Sequence, residues 1–329
     1  MKQSATEWGE KALLEALIEV MAREPKGLVI GPGDDAAVVA TTPTTVVTVD
    51  SIVAGQDWLV EQSPPAAVGH RAAAVNLSDI AAMGGQPKWA LLALELNEHD
   101  DVEDVLQAAA EMAHQLALHG ATVVGGDLGI GQGPQRWTLT LMATPGPRTL
   151  TMSQAKAGYR VWLIGEVGRA AVGLNALIAG DSSTEMAPLI ESHLRPRALV
   201  DAGMRLADLP YDIAATDVSD GLWIDAVRLA EKSDVGLELH LPRPDWLSPS
   251  IVEQVRRYGL DWRELMVTGG DDYALLVCAP WSLDLRQELS SVVPLSIEAI
   301  GQVVQGDLVS IHVEGERLTG VARGYEHGR

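Results

Sequence analysis

Leu13, Leu14, Leu17, Ile18 and Met21 recur at helical spacing and predict an amphipathic helix as the first element. The pattern then shortens. Leu28-Val29-Ile30 and Val38-Val39 flank Gly31-Pro32-Gly33-Asp34-Asp35, which its glycines and proline mark as a turn. Thr44 to Asp50 is rich in β-branched residues and reads as a strand that closes on Asp50, with a loop from Ser51 to Asp57. A helix from Pro65 carries Val68, Ala72, Val75 and Asn76 to Asp79, and Ala81 to Gly85 reads as a close-packed turn. Trp89 to Leu96 is a strand, and Val105, Ala109, Met112 and Leu116 mark a long helix with Gly120 as its C-cap residue. Val123-Val124 is a strand running into Gly125-Gly126-Asp127, and Gly129, Gly131 and Gly133 extend a flexible loop. Trp137, Leu139 and Leu141 alternate with threonines as a half-buried strand.

Pro145-Gly146-Pro147 punctuates the chain and predicts two domains, 1–147 and 148–329. The second half has a strand from Tyr159 to Val167, a small-residue helix from Ala170 to Ile178, and His193-Leu194-Arg195-Pro196 ahead of another helix. Ile213 to Thr216 is a buried strand, and Asp217-Val218-Ser219-Asp220-Gly221 is a turn into a helix from Leu222 to Glu231. Gly269-Gly270-Asp271-Asp272-Tyr273 precedes a strand from Ala274 to Ala279. Mixed strands and helices make the first half α+β, and helices between strands make the second an α/β layer.

With 329 residues and 47% hydrophobic positions the chain has ample core for two domains. Lys+Arg 24 against Asp+Glu 45 gives a formal charge of -21, which repels nucleic acid and anionic membrane and attracts divalent cations. No apolar run approaches the ~18 residues of a spanning helix, and the first 23 residues lack a signal peptide's layout. The single cysteine, Cys278, lies in an apolar run and reads as a buried core thiol, excluding an internal disulfide. A cytoplasmic protein is expected. Phe is absent, and the 9 tryptophans are scattered as core and interface filler.

The acids carry the chemistry. Gly31 to Val39 matches a loose G-x-G-x-x-A, yet Asp34 and Asp35 would face a pyrophosphate with like charge. The stretch is either an ordinary acidic turn or a place where a divalent ion sits between carboxylates and phosphate. Asp50, Asp79, Asp127 and the Asp217–Asp220 turn repeat the theme at strand ends or beside glycines. Ser219 or Asp220 has a plainer reading as a helix N-cap. Oxygen ligands suit Mg²⁺ or Ca²⁺, and no His or Cys spacing competes for zinc. No G-x-x-x-x-G-K-[ST] loop, protein-kinase signature set or G-x-S-x-G elbow is present. From the residues alone, the chain reads as a divalent-metal-dependent enzyme that handles phosphates.

Gly31-Pro32-Gly33-Asp34-Asp35, Asn76-Leu77-Ser78-Asp79, Gly125-Gly126-Asp127, His193-Leu194-Arg195-Pro196, Asp217 to Leu222, Gly269 to Tyr273 and Gly324-Tyr325-Glu326 follow one another along nearly the whole chain. In these motifs and their order it resembles the thiamine-monophosphate kinases, a family of the aminoimidazole-ribonucleotide-synthetase-like superfamily. The resemblance implies that superfamily's two-domain fold: an N-terminal α/β domain that binds metal and ATP and pairs in a homodimer, and a C-terminal α/β layer domain that completes the active site. It implies transfer of the ATP γ-phosphoryl group to thiamine monophosphate by direct in-line attack, with several Mg²⁺ ions and ATP as co-substrate. Asp35, Thr48, Val49, Asp50, Asp79, Asp127, Asp217 and Asp220 fall on the family's metal positions. Gly126, Asp127, Met152 and Ser219 fall on its nucleotide positions, and Asp57, Asp271 and Ala322 on its substrate positions.

The chain departs from that pattern. Val49 replaces a hydroxyl residue, so its backbone carbonyl alone can coordinate. Met152 replaces an ATP-contacting arginine, for which Arg148 or Arg169 are the available substitutes. Asp57 stands where histidine is usual, Asp271 replaces glutamate, and Ala322 replaces a tryptophan expected to stack on thiamine. The competing readings are a paralogue that uses the same machinery on another phosphorylated acceptor, and a non-catalytic nucleotide-binding protein.

Overall fold

The computed structural model describes residues 3–23, 25–32, 36–292 and 295–318. The predicted turn residues Gly33, Asp34 and Asp35, as well as Ala322 and Gly324-Tyr325-Glu326, lie outside them. The chain forms two compact units, Met1–Ile80 with Gly85–Pro145, and Ala81–Gly84 with Gly146–Arg329.

The first unit begins with α1 (Ala5–Trp8), opened by a capping box between Ser4 and Glu7, and α2 (Glu10–Met21), which buries Leu13, Leu17 and Met21. β1 (Leu28–Ile30) and β2 (Val38–Val39) pair antiparallel. β3 (Val46–Val53), α3 (Pro65–Ala82), β4 (Gly85–Asn97), α4 (Val102–Leu118), β5 (Thr122–Gly131) and β6 (Arg136–Pro145) follow. The four long strands form a sheet in the order β3-β6-β4-β5, with β4 and β5 parallel and the other pairs antiparallel. Along β6, Trp137, Leu139, Leu141 and Ala143 are buried and the intervening residues are not, as expected for a sheet with one packed face. Helix α3 lies tightly against α4: a Cβ at Gly69 would stand 1.9 Å from the Ala108 carbonyl oxygen, so no larger residue fits without separating them. On the opposite side of β3, Val47 and Val49 are exposed.

Three expectations for this unit change. β3 continues three residues past Asp50, because Ser51, Ile52 and Val53 pair with Thr138, Trp137 and Arg136 of β6. Asp50 is therefore an interior strand residue. Gly129 and Gly131 belong to β5 together with Gly125-Gly126-Asp127 and not to a flexible loop, since they stay in register with Leu91 to Asn97 of β4, while Gly133 lies in the bend after the strand. The expected turn at Ala81 to Gly85 shrinks to Met83-Gly84, with α3 running to Ala82 and β4 starting at Gly85.

The second unit opens with a 3-10 turn, Met152–Gln154, followed by β7 (Arg160–Ile164), α5 (Arg169–Ile178), α6 (Ala187–Leu194), α7 (Val200–Asp208), β8 (Ala214–Val218), α8 (Leu222–Ser233) and β9 (Gly236–Leu241). Then come α9 (Pro249–Arg257), α10 (Trp262–Thr268), β10 (Ala274–Ala279), α11 (Leu285–Leu289), β11 (Ile297–Val304), β12 (Val309–Val313) and β13 (Glu316–Arg317). Seven strands form one sheet in the order β13-β12-β9-β11-β7-β10-β8. Every residue of β8 and β10 is buried, as in strands covered on both faces. The outer edge of β8 is met by the 3-10 segment, where the Ala215 N–H reaches the Thr151 carbonyl at 3.4 Å. Cys278 lies in this core as expected, and burial pushes its thiol well above the usual range.

Candidate functional site

Within the first unit, Thr48 and Asp50 occupy alternate positions of β3, paired with Leu141 and Leu139. Those leucines are buried, which turns Thr48 toward α3, where its hydroxyl donates to Asp79 Oδ2. Burial pushes the Asp79 carboxyl above its usual range, and the Thr48 donor pulls it partly back. A carboxylate short of solvation gains most from a cation, and an all-oxygen set of Thr48, Asp50 and Asp79 suits a hard ion such as Mg²⁺. Val49 points its side chain to the open face of the sheet and is 60% exposed, leaving its backbone carbonyl as its donor.

The register brings Gly126 beside Leu92 and Leu139, in the row of Asp50. Asp127 falls in the next row, with Ala93, Thr138 and Ser51, where Ser51 Oγ and Thr138 Oγ1 are 2.7 Å apart. The pleat thus gives Asp127 and Asp50 alternate faces. Gly126 has a structural reason to be glycine: a Cβ would sit 1.9 Å from the Leu92 carbonyl oxygen. Asp57 closes its own loop by accepting the Val53 N–H at 2.7 Å. Among the described residues, no group of three or more His, Cys, Asp and Glu is arranged to hold a metal. Mg²⁺ does not require one, because it is commonly held by one or two carboxylates, waters and substrate phosphates.

Within the second unit, two of the sequence motifs meet backbone to backbone. The Asp271 N–H donates to the Ser219 carbonyl at 2.8 Å, and the Tyr273 N–H to the Val218 carbonyl at 2.9 Å. Glycines permit the contact: a Cβ at Gly270 would lie 2.5 Å from the Ser219 oxygen, and Gly221, at φ +117, would place one 2.8 Å from the Thr268 oxygen. Asp217 is in β8 and buried, so the turn begins later than its sequence suggests. Neither Ser219 nor Asp220 is the N-cap of α8; that position is Gly221, without a side-chain cap bond.

The turn is held instead by Asp225, which sequence reasoning missed. Its Oδ2 accepts the Ser219 and Asp220 N–H groups, both at 3.2 Å, and its Oδ1 accepts Arg228 Nη1 at 3.0 Å. Burial, and next the nearby Asp220 charge, push the Asp225 carboxyl up to about 6. Arg228 also pairs with Asp220. An acid on the apolar stripe of Leu222, Ala226 and Leu229 was the available signal.

Asp271 and Asp272 have separate tasks. Asp272 turns its carboxylate onto the start of α5, accepting the Gly168 N–H at 2.5 Å and the Ala170 N–H at 3.0 Å. It supplies the cap that Gly168 lacks, and burial pushes its carboxyl up to about 7. Asp271 adopts φ +67 and Tyr273 φ +51, left-handed conformations unusual outside glycine. Tyr273 donates its hydroxyl to Asp271 Oδ1 at 3.1 Å, and the buried His193 places Nδ1 3.8 Å from Asp271 Oδ2. Such strain at a polar turn residue is a mark of functional positions. Met152 packs against the core of this unit, and its carbonyl accepts the Ser233 hydroxyl. Arg169 is engaged with Glu166 at 2.8 Å and Ser192 at 3.1 Å.

Comparison with known proteins matches both halves of the chain. Residues 33–144 match the N-terminal domain, and residues 156–314 the C-terminal domain, of the AIR synthase related proteins. The thiamine-monophosphate kinase of Escherichia coli O157:H7 is 32% identical over 337 residues, covering 97% of this chain and 98% of its own. Among solved structures, the thiamine-monophosphate kinase of Stenotrophomonas maltophilia K279a superposes with a TM-score of 0.78 at 29% identity, covering 93% of this chain and 95% of that one. AaThiL, complexed with AMPPCP and TMP, gives 0.74 at 29% identity over 99% of each chain. With both domains matched and near-complete coverage of a curated relative, the chain belongs to the thiamine-monophosphate kinase family of AIR synthase related proteins.

Proposed function

We propose that this chain transfers the γ-phosphoryl group of ATP to thiamine monophosphate, producing thiamine diphosphate by direct in-line attack. Identity with thiamine-monophosphate kinases over nearly the whole length, and a relative of 29% identity solved with AMPPCP and TMP, support the activity and both substrates. The acceptor oxygen belongs to a phosphate already ionised at neutral pH, so the chain needs no general base. What it must do is bring two anions together and line them up.

Several Mg²⁺ ions, when bound, neutralise phosphate charge. The residues proposed to hold them are Asp35, Thr48, Asp50, Asp79, Asp127, Asp217 and Asp220, with Val49 through its carbonyl. The observation that carries this reading is Asp79, a desolvated carboxylate oriented by Thr48 and held above its ordinary range. Gly126, Asp127, Met152 and Ser219 are the proposed nucleotide contacts, and Asp57, Asp271 and Ala322 the acceptor contacts. Domain 1–147 would carry metal and nucleotide groups together with the dimer contact, and domain 148–329 the remaining groups. The exposed Val47 and Val49 on the open sheet face favour a homodimer through domain 1–147.

Asp79→Asn and Asp50→Asn test this reading. Both should abolish thiamine diphosphate formation while the melting temperature stays within about 2 °C, and undiminished turnover in either would remove it from the metal set.

A further inference from the structure

Arg228 stands on the second turn of α8 and faces two unlike acids. Asp225 has 3% of its side chain exposed and is occupied with the Ser219 and Asp220 N–H groups, so it fixes the guanidinium from within the unit. Asp220 has 30% of its side chain exposed and Arg228 46%, so Asp220 is the carboxylate of the pair that an arriving ion can reach. One nitrogen, Nη1, serves both acids. Nothing in the chemistry of arginine lets it yield this place by losing a proton, because guanidinium stays charged throughout the accessible pH range.

We propose that Arg228 is the resident counter-ion of Asp220, filling the electrostatic place of a divalent cation and thereby setting how weakly that cation is held when no phosphate accompanies it. The inference rests on the assignment of Asp220 as a metal ligand. A divalent ion arriving at Asp220 meets a fixed positive charge a few ångströms away, and Asp225 keeps that charge from swinging clear. The repulsion between a double and a single charge at about 5 Å in a watery environment corresponds to roughly a tenfold loss of affinity, less with salt. Phosphate oxygens arriving with the ion reverse the balance, since they neutralise the guanidinium too. Arg228 thus favours the metal that comes with a nucleotide over the free metal.

The test is Mn²⁺ binding to the full chain without nucleotide, read from the loss of the free-ion electron paramagnetic resonance signal. Arg228→Gln should tighten Mn²⁺ binding about three- to tenfold at low ionic strength, with the gain shrinking as salt is added. Arg228→Met, which keeps an unbranched stem on α8, should do the same and serves if the glutamine variant folds poorly. Arg228→Lys retains the charge and should bind as wild type does. Asp220→Asn should weaken binding, and Asp220→Asn combined with Arg228→Gln should show no gain over Asp220→Asn. Unchanged or weaker binding in both neutral variants, with Asp220→Asn still weakened, overturns the counter-ion role and leaves Arg228 as a structural anchor. Equal tightening in Arg228→Lys also overturns it, because charge would not be the cause. If Asp220→Asn binds Mn²⁺ like wild type, the ligand assignment fails and the inference with it.

Discussion

Gly126→Ala separates two reasons for the same glycine. Gly126 is a proposed nucleotide contact, while the sheet gives it a steric reason that needs no ligand. An added methyl would stand 1.9 Å from the Leu92 carbonyl oxygen, 2.8 Å from its carbon and 3.1 Å from the Leu92 nitrogen. The obstacle is backbone of β4, an inner strand held by β6 on one side and β5 on the other, so it cannot rotate away as a side chain would. Overpacking of this kind costs about 1–3 kcal/mol, and displacing β5 would weaken one or two ladder hydrogen bonds at about 1 kcal/mol each. A total of about 3 kcal/mol lowers the melting temperature by roughly 4 °C for a protein of this size. Circular dichroism melts without nucleotide measure it. A melting temperature within about 1 °C of wild type would refute the steric argument, and a raised KM for ATP alone would then make Gly126 purely a ligand contact.

Three other outcomes follow from the same geometry. Thr48→Val removes the donor that favours ionised Asp79, so the acidic limb of the pH–rate profile should move to higher pH; an unmoved limb would separate Thr48 from catalysis. Asp272 is held up at about 7 against an ordinary 3.8. The unfolded chain therefore gives up this proton first, and the native state loses stability as pH rises from about 4 to 7, by about 4 kcal/mol at most. In urea titrations, wild-type stability relative to Asp272→Asn should fall over that interval, and parallel curves would contradict the shift. Asp225→Ala strips the acceptor from two backbone N–H groups and from Arg228, which should destabilise the protein by about 2–4 kcal/mol; a change under about 0.5 kcal/mol by denaturant midpoint would show that the turn does not depend on it.

Local pattern made much of the fold legible. The spacing of Leu13, Leu17 and Met21 and the alternation of Trp137, Leu139 and Leu141 each state a period and a buried face, which the structure keeps. What failed to show locally depends on partners far along the chain. β3 extends beyond Asp50 because β6, some ninety residues later, continues to pair with it. Gly129 and Gly131 read as loop because glycine usually breaks strands, yet pairing with β4 keeps them in β5 with open space beside them, whereas at Gly126 the close approach of β4 requires glycine. Among the candidate residues, Thr48 and Asp79 are brought together across 31 positions, and the Ser219 and Asp271 motifs across about fifty. Sequence could not divide the work of Asp271 and Asp272, since the helix that Asp272 caps begins a hundred residues earlier. Asp225 was the more readable omission, an acid on an apolar helix face that had to have partners.

The proposed activity is tested most directly by incubating the full chain with ATP, thiamine monophosphate and Mg²⁺, and following thiamine diphosphate by chromatography beside an EDTA-treated control. Thiamine diphosphate is expected in the complete reaction and none with EDTA. Absence of product while Mg²⁺ and ATP still bind would contradict the proposed activity and assign the fold to another acceptor or to nucleotide binding without turnover.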